Sequence, residues 1–141
     1  MKKKILIVLA DYYKNIANGL LLNAKKELRE KYILKTIIVP GVFEIPVTIS
    51  KNINKFNGFI ALGCVIKGKT PHFDLICNSS FNAIQNLCIS YNKPIGNGII
   101  TALNKNQAFE RCGKIKSNKP NKGLEAAKAI LSIIKNGPKK I

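Results

Sequence analysis

Two kinds of apolar spacing alternate along the chain. Short, nearly continuous apolar runs occur at Ile5 to Ala10, Tyr32 to Val39, Phe59 to Ile66 and Ile95 to Leu103. Runs of this length predict strands: Ile5 to Ala10 and Phe59 to Ile66 read as buried, the latter on both faces, Tyr32 to Val39 is marked by its β-branched residues, and Ile95 to Leu103 makes a fourth. Between them the spacing becomes helical. Ile16, Leu20, Ala24 and Leu28 recur every four residues and predict a helix from Ile16 to Lys31, after a polar turn at Asp11 to Asn15. Pro40-Gly41 closes the second strand. A helix from Ile45 to Lys55 is expected next, with Ile45, Ile49 and Ile53 on one side and Pro46 tolerated only near its start. The longest helical signal follows the third strand, where Phe73, Ile76, Cys77, Ser80, Ile84, Leu87, Cys88 and Tyr91 share one face.

Gly96 and Gly98 interrupt the fourth apolar run and predict a bulge or a close backbone approach. Asn104 and Gln107 read as a capping box for a short helix to Cys112. A basic loop, Lys114 to Lys119, leads to a last helix, Lys122 to Lys135, with Leu124, Ala127, Leu131 and Ile134 inward and Asn136-Gly137-Pro138 as its stop. Strands alternating with helices imply a parallel sheet with right-handed crossovers. The expected class is therefore α/β, a three-layer, flavodoxin-like fold in one domain spanning residues 1–141.

Composition narrows the function classes. The formal net charge is +17, which invites a nucleic-acid reading. The basic residues are scattered over several helices and both termini, however, and all but Arg29 and Arg111 are lysines. Lysine offers little of the bidentate readout that arginine supplies, so no nucleic-acid role is expected; no membrane role is expected either, since no stretch is long and apolar enough to span one. Cys64, Cys77, Cys88 and Cys112 form no C-x-x-C pair and neither a zinc pattern nor a disulfide framework. Reduced thiols in the cytoplasm are the expectation. The apolar run after Met1-Lys2-Lys3-Lys4 is too short for a signal peptide, and nothing approaches transmembrane length.

The stretch Gly58 to Asp74, GFIALGCVIKGKTPHFD, joins the third strand to the longest helix. Thr70 is placed to cap that helix and Pro71 to occupy its first position. The joint thus lies at the carboxyl end of a strand, where open α/β sheets bind ligands. The first-turn N–H groups and the helix dipole favour an anion there, such as phosphate. The chain's only histidine, His72, falls in that turn. The positive end of a helix disfavours imidazolium and suits a neutral, base-competent ring.

ALGCVIKGKTPHFD, together with VPGVFEIP (Val39 to Pro46) and NKG (Asn121 to Gly123), closely resembles the 6,7-dimethyl-8-ribityllumazine synthases. The similarity runs from about Ile5 to about Ile134, with the motifs in the family's order. The resemblance implies a four-stranded parallel sheet of order 2-1-3-4. It also implies a transferase of riboflavin biosynthesis that condenses 5-amino-6-(D-ribitylamino)uracil with 3,4-dihydroxy-2-butanone 4-phosphate, with no cofactor and no metal. It implies, too, a homo-oligomer, a pentamer or decamer, with riboflavin synthase as a further partner. The competing class is a flavodoxin-like phosphate or flavin binder without turnover. Against it stand an arginine and a histidine both suited to handling a phosphate ester.

By the same resemblance, His72 matches the proton-transferring histidine. Lys69, Thr70 and Arg111 match the phosphate contacts, and a planar guanidinium suits two phosphate oxygens at once. Val42, Phe43 and Glu44 match the segment that meets the ribityl chain, where a carboxylate can accept from hydroxyls. Cys64, Val65 and Ile66 match a segment against the pyrimidine, Tyr12 an aromatic that stacks on that ring, and Lys122 a further contact on the pyrimidine side. Asn97 stands where many relatives place a phenylalanine that stacks from the neighbouring subunit, and asparagine cannot stack. Two further departures are Asp11, where arginine is expected, and a segment from Arg111 to Lys122 that is longer than in many relatives. That extra length makes Asn118-Lys119 a second candidate for the lysine position.

Overall fold

The computed structural model describes residues 1–136. Four parallel strands, β1 (Lys4–Ala10), β2 (Ile33–Val39), β3 (Gly58–Ile66) and β4 (Ile95–Ala102), form one sheet in the order β2-β1-β3-β4. This is the α/β, flavodoxin-like order expected above. In register, Ile5 pairs with Leu34 on one side and Gly58 on the other, and Ile66 pairs with Ala102. Central strands β1 and β3 are buried over almost their whole length, which is why they lack polar alternation.

The helices are α1 (Lys14–Leu28), α2 (Ile45–Lys51, entered through a 3-10 turn at Val42–Glu44), α3 (His72–Ser90), α4 (Lys105–Cys112) and α5 (Lys122–Lys135). Side chains alternate across the sheet into two cores. Ile5, Ile7, Leu9, Ile60 and Leu62 pack with α1, α4 and α5. Leu6, Val8, Phe59 and Ala61 pack with Ile45 and Ile49 of α2 and Ile84 of α3.

Several expectations need correcting. The first helix begins at Lys14, not Ile16, and ends at Leu28, not Lys31, where the Lys31 and Tyr32 amides both turn back onto the Leu28 carbonyl. α2 stops at Lys51, because Asn52 and Asn54 favour turns over helix. Ile53 is still buried and so imitates a further helical turn. Thr70 does not cap α3. Proline takes the capping position, the first helical bond runs from the Leu75 amide to the Pro71 carbonyl, and Thr70 lies one residue too early to reach the first-turn amides. Tyr91, expected inside, is exposed beyond the last turn of α3.

On α5 the inner stripe is Gly123, Ala126, Ala127, Ile130 and Leu131, while Leu124 and Ile134 lie half-buried at its edges. Ala126 faces β4, where Gly96 and Gly98 leave room for the helix backbone, so the two glycines do mark a close approach. At α4, the Asn104 Oδ1 accepts from the Gln107 amide at 2.9 Å, but the Gln107 side chain returns to the Leu103 amide rather than to Asn104. Gly137 and Pro138, the expected stop after Asn136, lie outside the described residues.

Candidate active site

β1 leads to α1 on one face of the sheet and β3 leads to α3 on the other, so the chain departs in opposite directions at the carboxyl ends of two adjacent strands. A crevice at such a point is the expected ligand site of an open α/β sheet. A cleft of about 510 Å³ occupies it. Four segments build the wall: Tyr12 and Tyr13 after β1, Gly41 to Glu44 after β2, Cys64 to Ile66 at the end of β3, and His72 with Ile76 on α3.

Each segment is held by a local cause. Gly63 of β3 carries no side chain toward the 3-10 turn; a Cβ there would meet Val42 Cγ2 at 2.9 Å and Ala10 Cβ at 3.0 Å. Val42 therefore seats against the sheet, and Phe43 and Glu44 stand at the cleft. The Asp11 amide donates to the Val39 carbonyl at 3.2 Å and so ties the Tyr12–Tyr13 segment to the end of β2. The rings of Tyr12 and Tyr13 meet edge to face, with centroids 4.9 Å apart and planes at 81°. α3 presents an N-terminus with no side-chain cap, so its first-turn N–H groups are free for a ligand.

Most of the wall is apolar, with few polar groups. Glu44 makes no ion pair within 4 Å among the described residues. His72 is the first helical residue of α3 and is exposed. Cys64 is only 7 % exposed. Burial, with the nearby Cys112 and Cys77 thiols adding to it, pushes the Cys64 thiol up to about 12, so it is protonated at neutral pH and is no nucleophile. Burial also raises the Tyr13 phenol, helped by Cys64 and Tyr12. No cluster of three or more histidine, cysteine or acidic side chains suited to a metal occurs among the described residues.

The sequence profile of the 6,7-dimethyl-8-ribityllumazine synthases matches residues 2–136. The chain belongs to that family. It is 41 % identical over 140 residues to a 6,7-dimethyl-8-ribityllumazine synthase of Bartonella tribocorum, covering 95 % of this chain and 91 % of the relative. A second such protein, from Agrobacterium fabrum, is 40 % identical over 141 residues, 94 % and 93 % of the two chains. A third, from Cutibacterium acnes, is 33 % identical over 133 residues, 93 % and 80 %.

Of the residues that the lumazine synthase motifs single out, Tyr12, Val42, Phe43, Glu44, Cys64, Val65, Ile66 and His72 line the cleft together. The others do not line it within one chain. Lys69 and Thr70 lie exposed in the loop immediately before His72. Arg111 sits in the last turn of α4, where its Nη1 donates to the Gln107 carbonyl at 2.9 Å and meets Glu110 at 3.4 Å. Lys122 opens α5 and pairs with Glu125 at 3.3 Å. Asn97 lies in mid-β4 opposite Ala61, exposed, with its Oδ1 accepting from the Ile99 amide at 3.0 Å.

Three lining residues escaped the sequence reading: Tyr13, Gly41 and Ile76. Ile76 had a usable signal, since it follows His72 by one helical turn and shares its face.

Proposed function

We propose that this chain is a 6,7-dimethyl-8-ribityllumazine synthase, a transferase of riboflavin biosynthesis. The observation that carries the reading is His72, opening an uncapped helix at the rim of a cleft that also holds Tyr12 and Glu44. Family membership fits the same activity. The ring of 5-amino-6-(D-ribitylamino)uracil stacks on Tyr12 against Cys64, Val65 and Ile66, and its ribityl hydroxyls meet Val42 to Glu44. The butanone phosphate places its anionic end at Lys69, Thr70 and the first-turn N–H groups of α3, with Arg111 as a bidentate partner.

The substrate's amine then attacks the ketone, and imine formation releases one water. Elimination expels phosphate, and attack of the ribityl-bearing nitrogen on the second carbonyl closes the ring and releases another water. His72 moves protons between these steps. Holding both partners in register supplies part of the rate, and proton transfer from a placed group adds typically about a hundred- to ten-thousand-fold. Lys122 contacts the pyrimidine side, with Asn118-Lys119 as the alternative.

The same reading makes residues 1–141 a single domain working in the cytoplasm as a homo-oligomer. No helix among the described residues is long and apolar enough to cross a membrane. Asn97 does not line its own cleft and would complete a neighbour's, which requires a closed ring; we infer a pentamer, or a decamer of two rings. Leu75 and Ile89 on α3, 65 % and 69 % exposed, fit such a contact. The loop Gly113 to Asn121 is exposed up to Pro120 and lysine-rich, and it opposes the close pentamer–pentamer packing of an icosahedral shell. Riboflavin synthase, which consumes the product, is the further partner.

The test mixes the two substrates with protein and follows the lumazine absorbance. Wild type is expected to form product, and His72→Ala to lower kcat by about tenfold or more without loss of fold. Arg111→Lys is expected to raise KM for the butanone phosphate alone. No product above the uncatalysed rate would refute the assignment. Light scattering at physiological salt checks the assembly, which a shell-sized particle would overturn.

A further inference from the structure

Tyr13 holds a position that usually serves a helix. It is the residue before α1, with extended backbone (φ −103°, ψ 92°) and the Ala17 amide donating to its carbonyl at 2.9 Å. Serine, threonine, asparagine or aspartate is favoured there, because a short polar side chain can satisfy a first-turn amide. A tyrosine makes no such bond, and α1 has no side-chain cap at all. The helix thus forgoes a stabilising interaction at this position, while the ring goes elsewhere.

That ring packs against the core beside α1 and forms part of the cleft wall. Its one aromatic neighbour is Tyr12, which is 74 % exposed and has little else to restrain it. An exposed aromatic held by nothing but its own torsions loses rotamer freedom when it stacks on a ligand, and that cost weakens binding. An edge-to-face partner anchored in the core removes the cost beforehand, since aromatic pairs favour this perpendicular arrangement.

We propose that Tyr13 is a positioning residue that braces Tyr12 for stacking on the pyrimidine substrate, acting through its ring and not through its hydroxyl. The proposal rests on the lumazine synthase reading and on Tyr12 as the stacking side chain. It does not involve the phosphate end of the site.

Purified wild type, Tyr13→Ala and Tyr13→Phe are compared in steady state, varying each substrate in turn. Binding of the product, 6,7-dimethyl-8-ribityllumazine, is read from its fluorescence. Tyr13→Ala is expected to raise KM for 5-amino-6-(D-ribitylamino)uracil and weaken lumazine binding by about three- to tenfold. Its kcat and its KM for the butanone phosphate should stay within about twofold of wild type. Tyr13→Phe keeps the ring and is expected to restore wild-type values, which a general loss of fold would not allow. Wild-type pyrimidine KM in Tyr13→Ala overturns the brace, as does a Tyr13→Phe variant as weak as Tyr13→Ala. If wild type itself neither binds the lumazine nor turns over, the functional reading has failed and the brace with it. A wild type that works beside an unaffected Tyr13→Ala rejects the brace alone.

Discussion

The two faces of the sheet are finished differently. On the face covered by α1, α4 and α5, backbone meets backbone. A Cβ on Gly96 would strike the Ala126 carbonyl oxygen, one on Gly123 the Leu20 carbonyl oxygen, and one on Gly19 the Cys112 carbonyl oxygen. α5 buries five residues in fourteen. On the face covered by α2 and α3, the longest helix buries only Ser80 and Ile84 of its nineteen residues. Its outer side leaves Leu75 and Ile89 in the open. Both faces leave some apolar side chains outside, Leu22 and Ile133 among them on the first, but the first is a closed frame of backbone contacts and the second is covered more loosely. The cleft opens above this second face, where side chains of three strand ends and one helix start converge on space that the packing has not filled. A site needs rigid support on one side and room on the other, and this sheet supplies both.

The largest effect expected from this contrast is at Gly96. Gly96→Val would drive a branched side chain into the backbone of α5, which cannot rotate away as a side chain can. Loss of about 3 kcal/mol or more is expected, read as a fall in the urea midpoint or as failure to fold. Gln85→Ala on the exposed side of α3 is the matched control, expected to shift folding stability by under about 0.5 kcal/mol. Equal losses at the two positions would show that the faces are packed alike.

The same contrast explains what could be read from the sequence. Buried parallel strands lose polar alternation, which made β1 and β3 visible, while the edge strand β2, largely exposed or half-buried, was visible by its β-branched residues, and the strand–helix joint at His72 was visible too. Helix faces were harder, because spacing reveals a stripe but not its partner. Ala126 and Ile130 lie at the middle of α5's inner side because Gly96 and Gly98 are across from Ala126 and Gly58 is across from Ile130, a long-range fact with no local trace. Tyr91 fits the apolar stripe of α3, but the helix ends before it and leaves it outside. In the site, residues at the ends of neighbouring strands converged as the topology requires. Arg111 does not reach the cleft wall, since its guanidinium folds back onto its own helix. Tyr13 was overlooked because nothing local explains an aromatic before a helix; its partner is the ring beside it.

An intermediate effect is expected where the open face is tight. Gly63 is the one glycine of β3 against which the 3-10 turn seats, with Val42 and Ala10 as its neighbours. Gly63→Ala must push Val42 outward, and Phe43 and Glu44 move with it. A stability loss of about 1–3 kcal/mol is expected from such overpacking. KM for the pyrimidine substrate should rise as the wall shifts, with KM for the butanone phosphate nearly unchanged. A variant that loses stability with both KM values intact would show that the turn does not set the cleft.

The smallest effect concerns Cys64, which belongs to both regions: it is buried with the closed-face core yet lines the cleft. Burial raises its thiol from 9.0 to about 12. The folded chain therefore keeps this proton over a range in which the unfolded chain has lost it. By linkage, stability falls with pH wherever the folded state binds more protons. The contribution from Cys64 is full below pH 9.0 and is lost progressively as pH rises toward about 12. Tyr13, Cys77 and Cys112 are raised as well, chiefly by burial, and add to the same alkaline decline. Urea unfolding at several pH values from 7 to 11 should thus show a nearly level midpoint up to about pH 9 and a decline beyond it. Cys64→Ala is expected to lower the midpoint somewhat at every pH, by removing buried atoms, but to flatten the alkaline slope. An unchanged slope in that variant would mean the Cys64 thiol is wetter than its place in the wall implies, and that the cleft reaches deeper into the closed side than its lining suggests.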